Sequence, residues 1–395
     1  MGLLAEALVR RGNHVVWWGS SFDHAHKAHV TPAGLRYRVN ANFDVILTEA
    51  AGYARNISVQ RLAFNRATAR EFSRLASREV VPDVILTSYP PIELVSTIAG
   101  FGQAHGVPTI ADVRDLWPDV WLEAAPKIAR PLARLVLHPY FSLSRTSLAS
   151  MTAITGITDE FVTWALARAK RPHSPRDQAF PLGYSMPDIA SDERAVANKF
   201  WDKFLPSPTR PLVRLCFFGK MGERIGLDHV LEAITSLPPA AKAHIQLVIC
   251  GVDMRQTTTT PIDDPAIVFA GWVDQAKLLT LMERSDLGVI PYPNTADFQG
   301  SLSNKTIEYL AGGLALTTRL EGKLKRLILN NDCGYIYDDA AAPTAFRSLL
   351  LDVLADRETL RRRKQAAFAL YQSQFRAEGT YTAFADYIER IARSR

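Results

Sequence analysis

The residues best suited to chemistry fall in three places. Between Pro291 and Thr318 the chain reads P-Y-P-N-T-A-D-F-Q-G-S-L-S-N-K-T-I-E-Y-L-A-G-G-L-A-L-T-T, and Ser301, Asn304, Lys305 and Glu308 gather where a polar loop enters a short helix. A helix start offers unpaired N–H groups and the positive end of its dipole, so it favours anions. A carboxylate one turn further in presents paired acceptors, which suit a diol. The second place is G-K-M-G-E-R-I-G, where Gly219 begins a Gly-rich loop and Lys220 and Arg224 flank the next helix start. Two cations beside free amides suit a diphosphate, although a Gly-rich turn alone is weak evidence. The third is V-R-D-L-W-P-D, with Arg114 and Asp115 following an apolar run. There the competing reading is an Asp that caps the next turn and an Arg paired to it.

These residues need elements to hold them. Alternating apolar runs and amphipathic segments predict a first α/β domain, with a helix over Met1–Arg11 and a strand over His14–Trp18. A polar loop holding His24, His26 and His29 follows, and histidines so spaced in an exposed loop fit solvent or substrate hydrogen bonds better than a metal. A helix over Ser58–Arg78 and strands over Val84–Thr87, Pro108–Val113 and Met151–Thr155 come next, the second delivering Arg114 and Asp115 at its carboxyl end. Pro126 to Ser150 reads as one surface helix whose apolar face alternates with Lys127, Arg130, Arg134, His138 and Arg145. That pattern suits packing on the sheet, and it also suits an anionic bilayer. Arg171 to Pro211 reads as a crossover rich in Pro, Ser and Asp. A second α/β unit then begins with strands at Leu212–Phe218, Ile245–Cys250, Ile267–Ala270, Leu287–Ile290, Leu314–Thr318 and Gly334–Tyr337, with Gly251 and Gly271-Trp272-Val273 at strand ends. The tail from Ala342 reads as helical throughout.

Composition narrows the classes. At 395 residues two domains are expected. A net charge of +6 and a pI near 9.2 favour anionic partners, namely nucleotide phosphates, lipid phosphates or nucleic acid. No basic-aromatic platform supports nucleic acid. Cys216, Cys250 and Cys333 lack close spacing, which argues against disulfides and zinc. No apolar run is long enough to span a bilayer and the start lacks signal-peptide order, so a cytoplasmic protein with at most peripheral membrane contact is expected.

Three stretches carry a resemblance: W-W-G-S-S-F-D-H, V-R-D-L-W-P-D and, the most specific, S-L-S-N-K-T-I-E-Y-L-A-G-G. With two successive doubly wound sheets, they make the chain resemble the retaining group 1 glycosyltransferases, and within these the branch that adds sugars, often N-acetylamino sugars, to bacterial surface polysaccharides. The resemblance implies a GT-B fold: two Rossmann-like domains facing across a cleft, residues 1–185 on the acceptor side and 186–375 on the donor side, with a helix over 376–395 crossing back. It also implies transfer of a sugar from a nucleoside diphosphate sugar, UDP-linked, to a hydroxyl of a lipid-linked or nascent glycan. Configuration would be retained, with no metal and no cofactor beyond the co-substrate.

By the same resemblance Glu308 binds the ribose hydroxyls, Lys220 and Arg224 neutralise the diphosphate, and Trp272 and Val273 border the base. Gly219, Gly251, Ser301, Asn304 and Lys305 complete the donor site. Asp115 orients sugar or acceptor hydroxyls, with His24 and Arg114 on the acceptor side. Two departures stand out. Gly300 occupies the place of the family's earlier glutamate, with Asp297 or the Ser301 amide as substitutes, and no strand with a glycine turn precedes the first helix. The competing functions are a nucleotide-sugar epimerase of the same fold and a non-catalytic sugar-nucleotide-binding homologue.

Overall fold

The structure is a computed structural model that describes every residue except 25, 32–33, 57, 206–210, 220–225, 252–263 and 395. It forms two compact units, Met1–Pro181 with Glu378–Arg395, and Leu182–Ala377.

The first unit opens with α1 (Gly2–Arg10), which buries Leu4, Ala5 and Ala7. Its strands are β1 (Val15–Ser20), β2 (Phe22–Asp23), β3 (Ala28–His29), β4 (Arg36–Asn40), β5 (Phe43–Thr48), β6 (Ile85–Tyr89), β7 (Thr109–Val113), β8 (Ala153–Gly156) and β9 (Gln178–Ala179). Its helices continue with α2 (Val59–Ala76), α3 (Ile92–His105), α4 (Asp119–Ala124), α5 (Arg130–Val136), α6 (His138–Ala149) and α7 (Asp159–Ala169). Strands β6, β7, β8 and β9 form one parallel sheet in that order, and β7 is buried at every residue, as a strand covered on both faces must be. A separate sheet has the order β1-β5-β4.

Two features of this unit depart from the sequence reading. Strand β4 is exposed along its whole length and pairs antiparallel with β5; its R-Y-R-V-N alternation spans only five residues and buries neither Tyr37 nor Val39, and the sequence reading placed no strand there. Its Arg36 and Arg38 instead bridge to the buried Asp44, and charged side chains of this kind keep an edge strand soluble. The single helix expected over Pro126–Ser150 is three pieces, a 3₁₀ turn Lys127–Ala129, then α5, then α6. Pro131 and Pro139 each lie in a first turn, where a residue without an N–H starts a helix but cannot continue one.

The second unit continues with α8 (Ser191–Phe204), β10 (Val213–Phe218), α9 (Asp228–Thr235), α10 (Pro239–Lys242), β11 (Ile245–Cys250), β12 (Ile267–Gly271), α11 (Gln275–Glu283), β13 (Leu287–Ile290), α12 (Ala296–Gly300), α13 (Asn304–Ala311), β14 (Ala315–Thr318), α14 (Lys323–Asn331), β15 (Gly334–Ile336), α15 (Ala342–Ala355) and α16 (Arg357–Leu370). Helix α8 lies inside the expected crossover. It buries only Ala197 and Trp201, too short an apolar stripe to read from sequence, yet Trp201 is fully buried and donates to the Lys277 carbonyl at 2.8 Å. The six strands form one parallel sheet, β12-β11-β10-β13-β14-β15, with an apolar core on each face. The tail is not one helix: a π-helical turn, Tyr371–Phe375, and an extended Arg376 precede α17 (Ala377–Ala392).

Helix α17 packs in the first unit. Phe384 stacks on Phe180 with centroids 4.2 Å apart, and Arg11 grips Glu389 through Nε and Nη2 at 2.8 and 2.9 Å. The three cysteines are free and buried.

Candidate functional site

In the second unit the chain leaves β10 to build β11 and β12 on one side and returns to build β13, β14 and β15 on the other. The strand order therefore reverses at β10–β13, and crevices at the carboxyl ends of strands beside such a switch point are where open α/β sheets bind ligands. Helix α13 is pinned there by Tyr309, whose hydroxyl lies 3.2 Å from the Cys216 carbonyl on β10 and 3.4 Å from the Val289 carbonyl on β13. Gly288 makes room for it, since a Cβ there would come within 2.4 Å of the Tyr309 ring. The Ser303 hydroxyl accepts from the Thr306 N–H and caps the helix.

One turn in, Glu308 is half-buried and its carboxylate makes no hydrogen bond or ion pair among the described residues. Burial raises its carboxyl above the usual range, and Lys305 on the preceding turn offsets part of that rise. A carboxylate held out of water with both oxygens unspent is a strong acceptor for a hydroxyl pair. Lys305 carries its ammonium to 3.3 Å from the Tyr292 hydroxyl and over the rings of Phe217 and Tyr292. It also lies against the end of β10, where a Cβ on Gly219 would meet Lys305 Nζ at 2.7 Å. Gly219 has φ +121°, and Gly251, at φ +80°, abuts the Gly219 backbone so closely that a Cβ would touch its N and O at 3.2 Å. Positive φ and close approach both demand glycine. Gly219, Gly251 and Lys305 thus converge at the carboxyl ends of β10 and β11, with Glu308 one turn along α13 from Lys305.

The other donor-side candidates are more dispersed. Asn304 is exposed at the first position of α13. Ser301 follows α12 in extended backbone, and Gly300 is the last residue of that helix. Asp297 sits in the first turn of α12 and accepts from the Thr295 hydroxyl at 2.5 Å. Trp272 is 78% exposed, whereas Val273 packs its side chain into the core, leaving its backbone as the part able to border a ligand. Lys220 and Arg224 lie outside the described residues.

Tyr184 is a neighbour the sequence did not announce. It is fixed by its N–H to the Phe375 carbonyl at 2.8 Å, and burial first, then Glu308, pushes its phenol up to about 12. It comes from a Pro- and Ser-rich stretch with no periodicity, so only the fold brings it to Glu308.

In the first unit Asp115 and His24 join one polar cluster. Asp115 accepts from the Leu116 N–H at 2.9 Å and from the Trp117 indole at 3.0 Å. His24 contacts the Tyr53 hydroxyl and Arg61 Nη1, and burial, followed by Arg61 and Lys27, holds its imidazole below the usual value. The half-buried Arg61 guanidinium lies over the Tyr53 and Trp117 rings and senses both Glu93 and Asp115. Arg61 was one of several arginines on a helix face, with no sequence signal to single it out. Glu93 and Asn65 beside it are buried, and burial raises the Glu93 carboxyl, with Tyr140, Arg66 and Asn65 offsetting part of that rise. Arg114 turns away. Its partner is Asp112, at 2.6 Å, rather than Asp115, and Asp112 is itself held by the Thr155 hydroxyl.

Residues 200–369 match the family model described as glycosyl transferases group 1. No curated protein matches the sequence. Among solved structures, a sucrose-phosphate synthase from Thermosynechococcus elongatus is similar with a TM-score of 0.72 at 15% identity, covering 99% of this chain and 92% of that one. WaaG, a glycosyltransferase involved in lipopolysaccharide biosynthesis, gives a TM-score of 0.59 at 13% identity over 98% of this chain and 94% of its own. The Anabaena protein HepE in complex with UDP gives 0.59 at 11% identity, covering 88% and 86%. At such identities the likeness speaks to fold, and the chain accordingly has the GT-B glycosyltransferase fold, with a second unit that matches the group 1 glycosyl transferases over residues 200–369.

Proposed function

We propose that this protein is a retaining, metal-independent glycosyltransferase that moves a sugar from a nucleoside diphosphate sugar, UDP-linked, to a hydroxyl of a lipid-linked or nascent glycan in surface-polysaccharide assembly. The observation that carries the reading is Glu308, a half-buried carboxylate with no side-chain partner among the described residues, one turn into the helix at the switch point and one turn from Lys305, which itself reaches Gly219. Its role is to accept the two ribose hydroxyls. Similar folds bind such ligands, since HepE has been solved with UDP and with UDP-glucose.

In this reading the bond from the anomeric carbon to the diphosphate oxygen breaks, positive charge develops at the sugar ring and negative charge at the diphosphate. Lys305, the start of α13, and Lys220 and Arg224 stabilise the negative partner. The acceptor hydroxyl adds to the same face and its proton passes to the leaving diphosphate, so the products are the glycoside and the nucleoside diphosphate. Asp115, His24 and Arg61 orient hydroxyls in the first unit, and Arg114 takes no direct part.

The test is a thermal-shift panel of nucleoside diphosphate sugars, followed by transfer from the stabilising donor to lipid-linked acceptors. UDP and one UDP-sugar should stabilise the protein, and Lys220→Ala and Arg224→Ala should each cut transfer by about tenfold or more. No stabilisation by any nucleotide would overturn the donor assignment. Binding without transfer or hydrolysis would favour the non-catalytic homologue, to which the side-chain-free Gly300 already points.

A further inference from the structure

The face of the Lys127–Val136 segment that should be buried points outward. Ile128, Leu132, Leu135 and Val136 recur at i, i+4, i+7 and i+8, the spacing by which a helix lines its apolar side against a core. Yet no residue of the 3₁₀ turn or of α5 is buried, and these four side chains are 94%, 65%, 72% and 68% exposed. The opposite side is the anchored one, because Arg130 donates to the carbonyls of Glu123 and Ala125 at 3.2 and 3.4 Å. A contiguous exposed apolar surface of this kind marks an interaction site.

Its charge selects the partner. From Ala124 to Thr158 the sequence holds no Asp or Glu, and Lys127, Arg134 and Arg145 are exposed without an ion pair among the described residues. Next to the apolar face, a basin of about 390 Å³ between α6 and α7 is lined by His138, Phe141, Arg145, Trp164, Arg168 and Lys170. Arg168 is spent on Asp119 at 2.5 Å, which leaves Arg145 and Lys170 to meet an anion. A second copy of the chain would bring a second set of the same cations to the contact, which like-charge repulsion opposes. An anionic bilayer takes both features at once, since acyl chains accept the leucines and headgroup phosphates accept the cations.

We propose that this face docks the protein on an anionic lipid bilayer. Ile128, Leu132, Leu135 and Val136 enter the boundary between headgroups and acyl chains, and the neighbouring basin takes a phospholipid phosphate. The segment is too short to cross the membrane, and among the described residues no helix is long and apolar enough to do so. Docking here rests on exposure and charge rather than on the donor site. Flotation without donor or acceptor therefore fails or succeeds independently of the transferase reading.

The experiment is flotation of the full chain with vesicles of phosphatidylcholine alone and with phosphatidylglycerol. Wild type should float with the anionic vesicles at low salt. The pair Leu132→Glu and Leu135→Glu should lower the partition coefficient by about tenfold or more, with circular dichroism unchanged because both positions are exposed. The pair Arg145→Glu and Lys170→Glu should lower it by about tenfold on anionic vesicles only. The proposal is overturned if wild type stays with the soluble fraction at low salt, or if the Glu pair at 132 and 135 floats as wild type does. It is equally overturned if sedimentation shows a dimer that this pair abolishes without any flotation, for then a second copy is the occupant.

Discussion

Replacing Glu308 with Gln separates a ligand-binding carboxylate from a structural one, because the two roles predict opposite effects on stability. The residue is half-buried, its carboxylate is unbonded among the described residues, and its carboxyl is raised by burial with Lys305 opposing in part. An acid whose folded pKa lies above its unfolded value costs the folded state stability once it ionises. The cost is absent below the unfolded value of about 4.3 and fully present above the folded one, so stability falls as pH rises through that window. Glu308→Gln removes the charge, keeps the shape and should raise the melting temperature of the free protein at pH 7.5. Binding should move the other way. A hydrogen bond to a charged acceptor is worth about 1.5–3 kcal/mol, and the amide keeps one acceptor of the two, so UDP affinity should fall by about 10- to 100-fold. Calorimetry at pH 7.5 on wild type and variant completes the test. A lower melting temperature with unchanged UDP affinity would show a structural carboxylate and refute the reasoning.

Two further perturbations probe the second unit. Gly219→Ala places a Cβ 2.6 Å from Lys305 Cε at φ +121°, and should cost about 1–2 kcal/mol in urea denaturation. Most of that loss should persist in a Lys305→Ala background, because the backbone strain does not depend on Lys305, and full recovery there would refute the backbone explanation. His229 is buried, hydrogen-bonded to the Tyr337 hydroxyl at 2.9 Å, and lowered to about 4, chiefly by burial. Its folded pKa lies below the unfolded value of about 6.5, so it contributes stability that is present above 6.5 and lost as pH falls toward 4, worth about 3 kcal/mol over the full window. His229→Gln should flatten the acid limb of the stability curve, and an unchanged slope between pH 6.5 and 4.5 would remove His229 as its cause.

The legible part of the fold was the part in which each element satisfies itself locally. Strands such as β10 and β11 are almost wholly apolar, broken only by Arg214 and Gln246, because both faces are covered, and α13 is legible because the change from polar loop to amphipathic run falls within one turn. Strand β4 and helix α8 were hidden because their energetics are cross-chain: the first rests on Arg36 and Arg38 reaching Asp44, the second on one tryptophan. Arg61 and Tyr184 were equally silent, being ordinary residues until distant segments close around them.

By itself the sequence determined the alternation of strands and helices, the glycines at the strand ends and the presence of Lys305 and Glu308 one turn apart, since these follow from periodicity and backbone sterics within short spans. Tertiary structure alone decided that Glu308 is half-buried with its carboxylate unpaired among the described residues, that Arg114 pairs with Asp112, and that the apolar stripe ending in α5 faces outward. The physical reason is that burial, pairing and exposure depend on which remote segment occupies the adjacent space, and no local pattern encodes that.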